Sequence, residues 1–429
     1  MAYTKKREEF TDTEIVRLAE ELESRPEAEA LKILEELPPE VAGQILEHMD
    51  HEISSGLISH LKRSEAAEIL EEMAPDSAVD LMEDLSAAER AELLRRMEPP
   101  EAAVIEELIA YPHDSAGGLM SPEVVALPKE LTVEEAIETL RRAANEAETI
   151  YYAYVVDQDR RLLGVLSMRD LIISDPHTPI EEIMRRDAVA VTAETDAEEV
   201  ARLFDRYDFL ALPVVDDANR LLGIVTVDDV IDSIREEATE DMHRMVGVGV
   251  DERVFSPLWS SVRRRLPWLY INLVTAFLAA TVVGLFQGTI EKYVILAVFM
   301  PVIAGMGGNA GLQTVTILVR GIALGELKVG GGMRALFKEI RLGMLHGIAI
   351  GAVAAVVAYG VGGSPLLGLV VMLALFFNLT FACTAGTLIP LGLRALGLDP
   401  ALASSIFLTM VTDVAGFFFL LGLGTLLLP

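Results

Sequence analysis

Five apolar stretches, at about residues 266–288, 293–319, 342–361, 366–393 and 401–428, constrain this chain more than any other feature. A hydrocarbon core about 30 Å thick takes roughly 20 helical residues to cross, and each stretch is long enough. The charge is distributed to match. From residue 259 onward there are ten Lys or Arg and five acids, whereas residues 1–258 carry 25 basic and 61 acidic side chains. Net charges of +5 and −36 for the two parts rule out a plain soluble enzyme. The apolar part meets lipid and the acidic part meets water.

The basic residues orient the spans, because Lys and Arg concentrate in cytoplasmic loops. Arg263, Arg264 and Arg265 precede the first span. Arg320, Lys328, Arg334, Lys338 and Arg341 lie between the second and third, and Arg394 between the fourth and fifth. The opposite loops hold only Glu291 and Lys292, then no charge from Gly360 to Ser364. Five spans running N-in and C-out put the acidic part in the cytoplasm of a cell (inner or plasma) membrane, with lipid as a partner. The N-terminus has no apolar run after its basic residues and reads as no secretory signal. The single cysteine, Cys383, permits no intrachain disulfide.

Two features distinguish these spans from an anchor. Asp413 lies near the middle of the last one, where a carboxylate costs at least about 2.5 kcal/mol on the lenient insertion scale. Such a residue lines a water-filled path or pairs with a cation. The alternative is a buried Asp that is protonated or hydrogen-bonded to Asn378, Thr380 or His346. The second feature is Pro301–Glu326, in which Pro301, Gly305, Gly307, Gly308 and Gly311 loosen the helix while Asn309 and Gln313 offer neutral oxygens. Gly307 and Gly311 also form a GxxxG packing pair. One carboxylate with neutral oxygens suits a hydrated hard cation such as Mg²⁺, which keeps much of its water shell. Acidity argues against nucleic acid, whose phosphates need a basic face.

Residues 120–233 contain a repeat. Tyr154–Asp157 (YVVD) recurs as Pro213–Asp216 (PVVD), and Leu162–Ile172 recurs as Leu221–Ile231, both 59 positions on. Each copy runs helix, strand, turn, strand, helix, and the pair resembles tandem CBS domains. That resemblance implies adenosine-nucleotide (ATP) binding, with Tyr152 and Phe209 flanking adenine and Arg169 and Asp170 holding phosphate and ribose. A purely structural CBS pair is the alternative. Residues 5–115 read as short helices with prolines at their starts, irregularly but near 12–13 residues apart, forming a helical stack. No nucleophile–base pair, Cys/His metal spacing or phosphate loop occurs there, and no enzyme is read. Carboxylates crowd at Asp76/Asp80, Asp80/Asp84, Asp196/Glu198, Asp228/Asp232 and along Glu236–Asp241 without balancing Lys.

The whole order resembles the MgtE family of Mg²⁺ channels, most specifically at Pro301–Glu326 and Leu398–Gly416. It implies a multidomain membrane protein. An α-helical superhelical N-terminal domain (1–118) precedes α+β tandem CBS domains (119–182 and 183–233). A connecting, gating helix (234–260) then leads to a five-helix transmembrane domain (261–429). The resemblance further implies a homodimer with the pore between subunits, closed by cytoplasmic Mg²⁺. Asp413, helped by Asn309, would bind hydrated Mg²⁺ in the pore. Asp399 would join Glu237, Glu240 and Asp241 around gating ions. Asp76 and Asp80 would face Asp208, Asp229 and Asp232, and Asp196 with Glu198 would hold an ion near the dimer interface. Two other functions compete: a proton-coupled divalent-cation carrier, and a membrane-anchored Mg²⁺ or nucleotide sensor that transports nothing.

Overall fold

The computed structural model describes residues 10–83, 85–144, 147–249, 252, 254, 256, 258–327, 331–402 and 404–429. Asp84, Lys328 and the first nine residues, on which readings above rest, lie outside them. The chain forms two compact units, Met1–Ile234 and Arg235–Pro429.

The first unit opens with α1 (Asp12–Glu23), α2 (Glu27–Leu34), α3 (Pro39–Glu47), α4 (His51–His60), α5 (Arg63–Glu71), α6 (Pro75–Glu83), α7 (Ala87–Leu94) and α8 (Pro99–Leu108). From α2 onward each helix begins 12 residues after the last, so the irregular spacing expected from the prolines is corrected to a regular one. The core sets the period. Leu22, Leu34, Leu46, Ile58, Leu70 and Met82 share it and are at most 2% exposed. Leu37, Met49, Leu61, Met73, Leu85 and Met97 form a second buried series at the same spacing. Full burial of such a side chain contributes about 1.5–3 kcal/mol, so the period is held by packing rather than by turn chemistry.

A second device recurs every two helices. Glu23 accepts a hydrogen bond from the Asp50 N–H at 2.6 Å, Glu47 from that of Ala74 at 2.8 Å, and Glu71 from that of Glu98. These donors lie just before α4, α6 and α8, where helix N–H groups lack intrahelical partners and a negative charge meets the positive end of the dipole.

Two α+β repeats follow. The first comprises β1 (Ala126–Pro128), α9 (Val133–Ala143), β2 (Tyr152–Val156), β3 (Leu162–Ser167), α10 (Met168–Ile173) and α11 (Ile180–Ile183). The second comprises β4 (Val191–Thr192), α12 (Ala197–Tyr207), β5 (Ala211–Val215), β6 (Leu221–Thr226) and α13 (Val227–Val246), which runs on into the second unit. In each repeat the first strand pairs parallel to the second and the second antiparallel to the third. Even the register irregularity recurs, at Val155/Val156 and at Val214/Val215. The repeats differ in one connection, since α9 and β2 are separated by eight residues but α12 and β5 by three. One core joins the helical stack to the second repeat, with Met97 and Ile105 in the same cluster as Val200, Leu212 and Val214. Another lies between the repeats, where Tyr154 and Leu162 pack with Ala211 and Ile224.

The second unit contains α14 (Leu258–Leu285), α15 (Gln287–Lys292), α16 (Ile295–Ala323), α17 (Gly331–Gly362), α18 (Pro365–Ala395) and α19 (Ser404–Leu427). Five of these, all but α15, are long and apolar enough to cross a membrane. α16 passes through Pro301 as one continuous helix, so the glycines and proline expected to loosen it do not break it. α17 and α18 pack through a stripe of small residues. A Cβ at Gly347 would lie 2.7 Å from the Phe376 Cα, and one at Gly343 2.9 Å from the Leu379 oxygen. Between lipid-embedded helices, close backbone approach of this kind supplies the packing that hydrophobic transfer does not.

Replacing Glu23 with Ala leaves one helix-end N–H without its carboxylate partner. Hydrogen exchange at the start of α4 is expected to quicken by about tenfold while the start of α8 is unchanged, consistent with one charge-assisted bond. Equal exchange at α4 in both proteins contradicts the staple.

Candidate cation path and acidic clusters

α16 and α19 form a groove of about 300 Å³. Gly305, Gly308, Asn309 and Leu312 line it from α16, and Ser405, Leu408, Thr409 and Asp413 from α19. Spacings of three and four residues put each set on one helix face. α16 therefore has two faces. At Gly305 and Gly308 nothing lies within 4 Å of a would-be Cβ, whereas a Cβ at Gly311 would meet Leu408 at 2.7 Å and one at Gly307 would overlap Asn378. The GxxxG pair is packing, and the other two glycines bare the groove wall. Gln313 is exposed and does not line the groove, a correction to its pairing with Asn309.

Asp413 sits about 14 Å along α19 from its start, at 1.5 Å per residue, close to mid-bilayer depth for a helix of this length. Among the described residues neither Asp413 nor Asn309 has a hydrogen-bond or ion-pair partner. The three proposed partners of Asp413 are engaged or apart: Asn378 donates to the Ile303 carbonyl at 2.9 Å, Thr380 to that of Phe376 at 2.7 Å, and His346 lies on α17. Six waters at about 30 Å³ each occupy roughly 180 Å³, so the groove has room for a hydrated octahedral ion. One carboxylate cannot cage a bare one.

A second set of acids lies where the helical stack meets the repeats. Asp76 is 8% exposed and its Oδ1 has no hydrogen-bond partner. Burial, then Asp229, Glu148 and Asp80, push its carboxyl well above the usual range. Burial also raises Asp229 to about 6 despite its hydrogen bonds from Thr226, with Asp228 and Glu148 adding to the rise. Glu148 is itself raised by burial, Asp228 and Glu47. The structure thus brings Asp76, Asp80 and Asp229 together, and adds Glu148, which sequence reasoning missed. Glu148 lies in the longer α9–β2 connection, where the second repeat has no counterpart to compare. Asp208 ends α12 in a left-handed conformation (φ 53°), and both it and Asp232 are exposed. Asp196 caps α12, accepting from the Glu198 N–H at 2.9 Å.

The third set belongs to the second unit. Burial, then Asp399 and Glu237, raise Asp241 to about 6. Glu240 pairs with Arg244, which also donates to Asp399 at 2.5 Å. Arg244 is thus the basic group of this cluster, paired with two of its carboxylates, Glu240 and Asp399. Among the described residues no three acid, His or Cys side chains converge as direct ligands of one ion. The donor set, hard oxygens with an orphaned buried Oδ1 at Asp76, fits a cation that keeps part of its water shell.

In the tandem repeats Tyr152 packs in the core between the copies, while Phe209 packs on the core shared with the helical stack and stacks on Tyr207 at 5.2 Å. Asp170 accepts from the Ser167 hydroxyl and backbone at the start of α10, and Arg169 is exposed.

Comparison with known proteins accords with this arrangement. A family model described as a divalent cation transporter matches residues 300–423, that of the MgtE intracellular N domain matches 13–114, and the CBS-domain model matches 116–175 and 180–236. The magnesium transporter MgtE of Thermus thermophilus is 44% identical over 335 residues, covering 77% of this chain and 74% of that protein. The magnesium transporter MgtE of Bacillus subtilis is 37% identical over 325 residues, covering 76% and 72%. A crystal structure of the soluble part of a magnesium transporter is 38% identical and covers 52% of this chain and 88% of that one, with a TM-score of 0.50. Helical stack, paired CBS domains and five apolar helices, in that order, make this chain a member of the MgtE family of divalent cation transporters.

Proposed function

We propose that this protein admits Mg²⁺ to the cytoplasm through the α16–α19 groove and is closed by Mg²⁺ bound at its acidic clusters. The observation that carries the reading is Asp413: a carboxylate at bilayer depth, without a protein partner among the described residues, lining a groove large enough for a hydrated ion. Magnesium transport is the function named for the relatives from T. thermophilus and B. subtilis. In this reading Asp413 holds the hydrated ion, Asn309 contacts its water shell, and Gly305 and Gly308 leave the wall low. A groove open along one side is completed by a second copy related by two-fold symmetry, the commonest closed arrangement. The basic loops face the cytoplasm, so the N-terminus is inside and the C-terminus outside.

Closure follows from electrostatics. Two like charges 4 Å apart cost about 4 kcal/mol at an effective dielectric of 20. Asp76 with Asp229 and Glu148, and Asp241 with Glu237 and Asp399, repel when ionised; a divalent ion between them reverses the sign. Asp208, Asp232, Asp196 and Glu198 offer further oxygens, Asp196 only beyond its cap bond. Closed forms that bind several more ions than open ones shift steeply with concentration, and a 10⁴-fold preference, about 5.5 kcal/mol, suffices. ATP, held beside Arg169 and Asp170, would tune the same equilibrium.

Uptake into proteoliposomes, with voltage imposed and internal Mg²⁺ clamped, tests the reading. Voltage-driven uptake that stops at high internal Mg²⁺ is expected. Asp413→Ala should lower it by more than about thirtyfold, the scale of losing one partner of a desolvated charge pair. Neutralising Glu237, Glu240, Asp241 and Asp399 together should leave uptake running at high internal Mg²⁺, and internal ATP should move the inhibitory concentration. Uptake that follows a pH gradient and ignores voltage identifies a proton-coupled carrier instead, and no uptake at all identifies a sensor.

The raised carboxyls also set a pH dependence. Between its unfolded value near 3.8 and its folded value of about 6, Asp229 binds more protons in the folded state, so stability falls as pH rises through that window. Asp241 has the same sign and window. Without divalent cations, thermal stability of the protein should decline from about pH 4 to pH 6, and Mg²⁺ should flatten the decline. A metal-free profile that rises across the window contradicts the assignment.

A further inference from the structure

Behind the groove one side chain of α18 stands between the two helices that form it. Asn378 is 0% exposed, its Nδ2 donates to the Ile303 carbonyl of α16 at 2.9 Å, and its Oδ1 has no hydrogen-bond partner. The amide fits only because both neighbours are glycine. A Cβ at Gly307 of α16 would overlap it, and a Cβ at Gly416 of α19 would lie 2.9 Å from Nδ2 and 3.2 Å from Cγ. Gly307 is two residues from Asn309 and Gly416 three from Asp413, so the amide touches the backs of the two turns whose fronts carry the polar groups of the groove.

Burying an amide with one of its two polar ends unsatisfied is unfavourable, and a leucine of similar size would fill the space without that cost. What an amide adds is a directed anchor. Its bond to Ile303 fixes its height on α16, while its bulk against Gly416 fixes how near α19 can come. Resting on the proposed transport function, we infer that Asn378 is a positioning residue that sets the Asn309–Asp413 spacing and thereby which hydrated divalent ion the groove accepts. An ion held through its water shell is distinguished from another by the separation of the few groups that touch that shell. A site built this way loses discrimination when its supporting residues slacken by about 1 Å.

The test compares Mg²⁺ and Ni²⁺ uptake by the purified full-length protein in proteoliposomes at low internal Mg²⁺. Asn378→Ala should change the Mg²⁺/Ni²⁺ uptake ratio by about fivefold or more, the factor one hydrogen bond sets. Gly307→Ala alone should impair the protein, and adding Asn378→Ala should restore uptake, because the methyl then occupies the vacated space. A ratio within about twofold of the wild type in Asn378→Ala overturns the inference, since one hydrogen bond's loss is worth more. So does a double variant no better than Gly307→Ala. If Asn378→Ala does not fold, Gly416→Ala presses on the amide from α19 and must shift the ratio; an unshifted ratio again overturns it. Wild-type protein that moves no Mg²⁺ refutes the transport reading instead. The spacing is then read by electron paramagnetic resonance between spin labels at Leu312→Cys and Thr409→Cys, with Cys383→Ser. A distance unaltered by Asn378→Ala or Gly416→Ala rejects the positioning role, and an altered one supports it.

Discussion

Carboxylates withdrawn from water without a basic partner govern this molecule. Asp413 on α19, Asp76 on α6 and Asp241 on α13 are each at least half-buried, and no Lys or Arg is paired with any of them among the described residues. Proteins seldom tolerate this, because an unpaired buried charge costs several kcal/mol and the group takes up a proton instead. Raised carboxyls at Asp76, Asp229 and Asp241 are that response. A mobile divalent cation offers the alternative compensation. In the proposed function, conduction and closure share one chemistry: the ion that passes Asp413 is the ion that relieves the other two clusters.

The rest of the architecture serves that arrangement. α16 separates its glycines by face, Gly307 and Gly311 against neighbouring helices and Gly305 and Gly308 toward the groove, so one helix is both closely packed and open-walled. Behind it α18 supplies the wedge of Asn378, and α17 holds α18 by backbone contact along Gly343, Gly347 and Gly351. In the first unit, a core shared by the helical stack and the second repeat holds Asp76 beside Asp229. Arg244 moderates the third cluster. It pairs with Glu240 and Asp399, while Asp241 is raised by burial, Asp399 and Glu237.

Much of this was legible in the sequence, for physical reasons. Spans declare themselves by length and hydropathy, and the repeat by YVVD and PVVD and by Leu162–Ile172 and Leu221–Ile231, each 59 positions apart. Asp413 and Asn309 stood out because polar groups at bilayer depth are costly. What was missed lay in three-dimensional placement. The 12-residue period of the stack is written in Leu, Ile and Met, while the helix starts vary among Glu, Pro, His, Arg and Ala, so reading the prolines made it look irregular. Gln313 lies four residues from Asn309, close enough to share a face by count, but that edge of the helix does not line the groove. Glu148 sits in a connection that is longer in the first repeat than in the second, and Arg244 is one helical turn from Glu240 but 155 residues from Asp399. A stripe such as Gly343, Gly347 and Gly351 shows that a helix packs closely, without showing against what.

The central claim is that divalent cations take the place of protons on buried carboxylates. Its most direct measurement is proton release when Mg²⁺ is added to the unbuffered, metal-free protein at pH 6. Asp229 and Asp241, each with a pKa of about 6, are half protonated there. The account predicts release of roughly one proton per chain or more, saturating with Mg²⁺. Addition of Mg²⁺ with no release of protons would contradict it.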